Sequence, residues 1–196
     1  MTFRRFTAAA AVLATVAALG GCETAPPNPQ YAALTYAHKA PIRLDVANLV
    51  IRQDYTPPME RPNVDHLFPV SPSQAAMQWA QDRLIAAGDS GTATYLVTDA
   101  SAQAADLATD QSLSDYFTTE QAERYTTRIA VTLQVEKPQR SGSIRVEATR
   151  STTVPEDASL NDRRRTWYEM TEKQMDELDR ELEATLRAEL GNWVLN

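Results

Sequence analysis

"RIAVTLQVEKPQRSGSIRVEATR", residues 128–150, decides the fold. Ile129, Val131, Leu133 and Val135 are apolar, with Arg128, Thr132, Gln134 and Glu136 on the opposite side. Pro138 and Gly142 predict a turn, after which Ile144, Val146 and Ala148 alternate with Arg145, Glu147 and Thr149. A period of two over both arms means two half-buried strands, and so short a connection makes them an antiparallel hairpin. A hairpin with one apolar face needs a cover.

The cover lies downstream. Pro155 ends the second strand, and from near Leu160 the period changes. Trp167, Thr171, Met175, Leu178, Leu182, Leu186, Leu190 and Trp193 recur at steps of three and four, which predicts a helix of about 30 residues with a narrow apolar stripe. Such a stripe suits one sheet face.

Upstream, Ile42, Leu44 and Val46 alternate with Arg43 and Asp45, and the parity then shifts to Leu49 and Ile51. The shift predicts a bulge or bend near Ala47-Asn48. Residues 54–70 carry Pro57, Pro58, Pro62 and Pro69 and read as a loop. Ser71 is a cap, Pro72 takes the first helical position and Gln74 completes a capping box. A helix follows through Met77, Trp79, Ala80, Leu84 and Ala87, with Gly88 as its end. Thr92–Asp99 reads as a strand, and residues 100–118, rich in Ala, Ser, Thr and Asp, as a long excursion. The expected fold is therefore α+β in two layers, with about four strands, mostly antiparallel, in the order β-α-β-β-β-α. The shorter helix and the long C-terminal helix lie on one face.

The N-terminus is of another kind. Arg4 and Arg5 precede a run from Phe6 to Leu19 that is uncharged and apolar apart from Thr7 and Thr15. It is too short to cross a bilayer about 30 Å thick, and it fits the apolar region of a secretory signal. The chain's one cysteine, Cys22, follows directly, so no internal disulfide can form. Arg4-Arg5 has poor flanks for a twin-arginine signal, with Phe3 before it and Phe6-Thr7 after it.

Leu19-Gly20-Gly21-Cys22, placed after that run, resembles the lipobox of bacterial lipoproteins. The resemblance implies that residues 1–21 are removed and that Cys22 carries a diacylglycerol on sulfur and an acyl chain, such as palmitate, on its new amino group. It places the chain in the cell envelope, facing the periplasm. Glu23 stands where enteric bacteria commonly use an aspartate to retain lipoproteins at the inner membrane, so the outer membrane is expected.

Residues 22–41 then form the lipid anchor and a Pro-rich tether, and residues 42–196 one periplasmic domain. Fully extended, the tether reaches roughly 60 Å at ~3.1 Å per residue. The other reading is an arm packed on the domain through Tyr31, Leu34 and Tyr36.

Loss of residues 1–21 takes the net charge from −7 to −9. So acidic a chain is unsuited to sequence-independent nucleic-acid binding, which requires cations against phosphates. An anionic membrane surface would not attract it either. Attachment falls to the lipid, and two or three acyl chains hold where one does not.

Chemistry is sparse. His38 and His66 stand alone in the arm and a loop, so no zinc site and no cofactor is expected. Gly88-Asp89-Ser90-Gly91 resembles the nucleophile motif of trypsin-like proteases, but a helix-to-strand turn explains it. Glu156-Asp157 and Asp176-Glu177 are carboxylate pairs without an evident shared cleft. Two features remain as contact candidates. Arg163, Arg164 and Arg165 lie in the first turns of a helix, where cations oppose its dipole. They either balance Glu156, Asp157 and Asp162 or meet an anion or an acidic partner. Trp193, Val194 and Leu195 end the chain's last helix as an apolar tail, against its own domain or against a partner.

In topology, residues 42–194 are similar to the lipopolysaccharide-assembly lipoprotein that plugs an outer-membrane barrel, and to auxiliary lipoproteins of lipid-transport ABC systems. No motif beyond the lipobox is shared, so no site residue carries over. The expectation is a non-enzymatic accessory or adaptor subunit with an envelope protein partner. The alternative is a carboxylate-dependent cell-wall hydrolase.

Overall fold

The computed structural model describes residues 30–107 and 121–195. Within them the chain forms β1 (Ile42–Leu44), β2 (Asn48–Gln53), α1 (Pro72–Arg83), β3 (Leu84–Ala86), β4 (Thr92–Asp106), β5 (Gln121–Lys137), β6 (Arg140–Pro155), α2 (Leu160–Glu189) and β7 (Val194–Leu195). The fold is α+β. A four-stranded sheet runs in the order β2-β4-β5-β6, and a small sheet in the order β3-β1-β7. Pairing is antiparallel except between β2 and β4 and between β1 and β3.

The hairpin of residues 128–150 sits at the centre of this arrangement. Leu133 pairs with Tyr95 on one side and Ile144 on the other, which sets a row of inward side chains across three strands. All eight stripe residues from Trp167 to Trp193 are buried. α2 begins where Ser159 and Asp162 form a reciprocal capping box, which satisfies donors the first turn would otherwise leave open. Its Gln174 donates to the Ala148 carbonyl of edge strand β6 at 2.8 Å, so the helix also guards that edge. α1 starts with Ser71 accepting from the Gln74 N–H, and it buries Trp79 against the Tyr95 ring.

Four expectations need correction. The strand read through residues 42–51 does bend, at Asp45–Ala47, but it is two strands and not one, and they join different sheets. α1 stops at Arg83, and Leu84–Ala86 leaves the helix to pair with β1. Residues 100–106 are no excursion but the continuation of β4, beyond a register shift between Val97 and Asp99. That shift moves the buried positions to Ala100, Ala102 and Ala104, whose small side chains give a weak strand signal. The rest of the expected excursion, residues 108–118, lies outside the described residues. Gly142 is not in the turn but in β6, where a Cβ would stand 2.6 Å from Leu190 Cδ2, so its bareness admits the end of α2. The expected sheet of about four strands is β2-β4-β5-β6, and three short strands build a second sheet beside it.

The arm from residue 30 lies along the helices. Tyr31 packs its ring 5.1 Å from that of Tyr168, and Leu34 and Tyr36 are buried in the main core. Asp82 accepts from the Tyr36 N–H at 2.6 Å and the Thr35 hydroxyl at 2.9 Å. Further on, Lys39 pairs with Asp179 at 2.5 Å, and Arg83 bonds the Ala40 carbonyl. Asp179 also receives the Trp79 indole N–H at 2.6 Å and Arg83 Nε at 3.1 Å. One buried carboxylate thus ties both helices to the arm.

Candidate functional site

A second, smaller core of Val64, Phe68, Ala102, Ala104, Tyr125, Val154, Trp167 and Met170 lies near the start of α2. Above it opens a pocket of about 220 Å³, walled by the loop around Met59–Leu67 and by Glu123, Tyr125, Arg163 and Trp167. Trp167 is held firmly. Phe68 stacks on it with ring centroids 5.2 Å apart, and Tyr125 meets it edge-on at 5.4 Å. The buried indole N–H of Trp167 has no hydrogen-bond partner among the described residues. On the rim, Met59 holds a φ of 62°, a left-handed conformation that costs a side-chain-bearing residue about 1–3 kcal/mol.

Charge in this pocket is already paired. The Arg163 guanidinium grips Glu123 and bonds the Tyr125 hydroxyl at 3.0 Å, while Tyr125 also donates to Glu123. Arg61 reaches Glu123 from the loop at 2.9 Å and Asp106 at 3.4 Å. Burial opposes ionisation of Glu123, but the Tyr125 hydroxyl and the two guanidiniums outweigh it and hold the carboxyl below its usual range. Burial, reinforced by Glu123, pushes the Tyr125 phenol up. A general acid or base works best near the operating pH. Glu123 stays ionised and Tyr125 stays protonated at neutral pH, so this pair holds and orients rather than passing protons.

The arginine cluster divides. Arg163 turns inward to Glu123, forty residues away in the chain and outside the set expected to balance it. Arg165 is exposed and pairs with Asp162, as the local reading anticipates. Arg164 is half-buried between them. The three do not converge on one point.

The C-terminal tail folds back. Trp193 is 5% exposed within the main core, with the Arg140 guanidinium 4.0 Å above its ring. Val194 packs partly against the same core, and Leu195 stands exposed in β7. Pairing sets Leu195 and Ile85 on either side of Arg43, a short row on the open face of the small sheet.

Asp89 and Ser90 are exposed and bonded to each other, and Gly91 takes a φ of 84°, as a turn requires. Glu156-Asp157 and Asp176-Glu177 are exposed. His38 is exposed on the arm; His66 lines the pocket. Among the described residues no three potential ligands gather as a metal site would need, and no helix is long and apolar enough to cross a membrane. Cys22 lies outside the described residues.

Sequence reasoning missed Arg61, Glu123 and Tyr125, which meet only through the fold. It also passed over Asp179, although an acid set between Met175, Leu178 and Leu182 was a legible sign of a buried ion pair.

No family model matches the chain, and no curated protein matches it. Among solved structures it is similar to the rare lipoprotein B from Shewanella oneidensis, at 15% identity and a TM-score of 0.40, over 74% of this chain and 97% of that one.

Proposed function

We propose that the chain is an envelope lipoprotein, anchored through Cys22, that serves as a non-enzymatic adaptor for a protein partner at the outer membrane. What supports this reading is the packed arm, which draws the folded body toward Cys22. Tyr31, nine residues after Cys22, packs on Tyr168, and nine residues reach at most roughly 32 Å when fully extended. With the arm packed, the reach is about half that of a free tether of roughly 60 Å. An adaptor held that close presents a fixed surface rather than sweeping a volume.

The pocket supports the same reading, because its carboxylate and phenol are tied to two arginines and not poised for acid–base work. Arg164, Arg165 and the row of Ile85, Arg43 and Leu195 are the contact candidates for a partner. Crosslinking in intact cells tests this. Wild type should capture a discrete envelope protein, and Arg164→Glu combined with Arg165→Glu should reduce that capture more than Arg163→Ala does. Equal capture by wild type and the double variant would return these arginines to a structural role. Separation of the two membranes by density should place the chain with the outer one.

A further inference from the structure

We infer that the end of the domain carrying Met59, Leu67 and Leu160 rests on a lipid surface, with these side chains dipping into it. The inference rests on anchoring through Cys22 and adds to it the orientation of the domain.

Three large apolar side chains stand exposed around the pocket. Met59 is 63% exposed, Leu67 49% and Leu160 65%. Met59 and Leu67 line the pocket mouth. Leu160 precedes Arg163 and Trp167, two other lining residues, by three and seven positions, so it shares their helix face. Water gains nothing from this arrangement, and exposed apolar groups gathered at one rim mark a contact.

The chain's own length says with what. Tyr31 packs on Tyr168, and the arm then runs toward Asp179, so the chain enters the body in the first half of α2. At 1.5 Å per residue, Tyr168 lies roughly 12 Å along the axis from Leu160 and roughly 33 Å from Leu190. The link from Tyr31 back to Cys22 is nine residues and spans at most roughly 32 Å. It brings the Leu160 end, roughly 12 Å away, to the lipid with length to spare, whereas standing the domain on its small sheet would take the whole link at full stretch. The apolar rim is at the end the anchor can bring down.

Charge does not drive the contact. Glu60 and Asp162 stand beside Arg61 and Arg165 there, so the attraction is insertion of apolar side chains, with the acyl chains providing the hold.

Spin labels on the full lipidated protein test this in vesicles of phosphatidylethanolamine and phosphatidylglycerol. Cys22 is acylated, so Leu67→Cys, Leu160→Cys and, at the far end, Leu195→Cys each offer one thiol. All three positions are exposed, and each variant's melting temperature is compared with wild type before labelling. Labels at 67 and 160 should lose collisions with an aqueous nickel chelate and gain them with oxygen, while the label at 195 remains fully accessible to the chelate. Labels at 67 and 160 as accessible as that at 195, on protein that is acylated and floats with the vesicles, would overturn the contact and leave the anchor standing. Protection at 195 instead would overturn the orientation. Protein that carries no acyl mass and does not float would overturn both readings.

Discussion

Arg83 Nε lies 3.1 Å from Asp179 Oδ1 with both side chains no more than 3% exposed, and this pair joins the end of α1 to the middle of α2. Its surroundings account for its survival in the interior. Asp179 takes hydrogen bonds from Trp79 and Lys39 besides Arg83, and Arg83 reaches Glu183 and the Ala40 carbonyl. Every strong donor and acceptor in the cluster has a partner, which is the condition for burying an ion pair.

Breaking the cluster on one side should therefore be severe. Asp179→Ala leaves Arg83 with Glu183 as its remaining counter-charge and the buried Trp79 indole N–H without its acceptor, and should destabilise the domain by about 2–3 kcal/mol. Urea unfolding, with the slope compared as well as the midpoint, measures it. A loss no larger than that of an exposed substitution would mean the carboxylate is not holding the helices together.

Acid should loosen the arm. Burial acts to raise the Asp179 carboxyl, but Lys39, Trp79 and Arg83 prevail and lower it, and Asp82 is lowered likewise by the Tyr36 N–H and the Thr35 hydroxyl. A carboxyl lowered in the folded state stabilises fully above its unfolded value, about 3.9, and that contribution vanishes as pH falls through the folded value. Amides of residues 34–40 should stay protected from hydrogen exchange near neutrality and lose protection below about pH 4, ahead of the β5–β6 hairpin. Simultaneous loss in both would contradict a separately latched arm.

Much of this architecture was readable because its signals are long and regular. The hairpin repeats a two-residue period over both arms, and the α2 stripe keeps its spacing from Trp167 to Trp193. What escaped notice was short or carried by small residues. β1, β3 and β7 hold three, three and two residues, too few for a period to emerge. Ala100, Ala102 and Ala104 line the inner face of β4, and alanine alternating with polar residues resembles a loop as closely as a strand. Of the candidate site, only Arg163 was marked in advance. Its partners come from a distant strand and loop, and no local pattern announces a contact made by the fold.

Gly142 illustrates the same gap from the packing side. Gly142→Ala would press a methyl group against Leu190 and should destabilise by about 1–3 kcal/mol through overpacking. Pairing it with Leu190→Ala makes the room the methyl needs, so the double variant should lose less than the two single losses added together. Thermal unfolding of the four proteins gives the coupling, and strict additivity would mean the two residues do not meet.

Whether Cys22 ties this domain to a membrane is decided by fatty-acid labelling in cells. Labelled palmitate should be incorporated into the wild-type chain and be absent from Cys22→Ala, which should also leave the membrane fraction or accumulate unprocessed. A Cys22→Ala chain that takes up label and floats with membranes as wild type does would contradict the account.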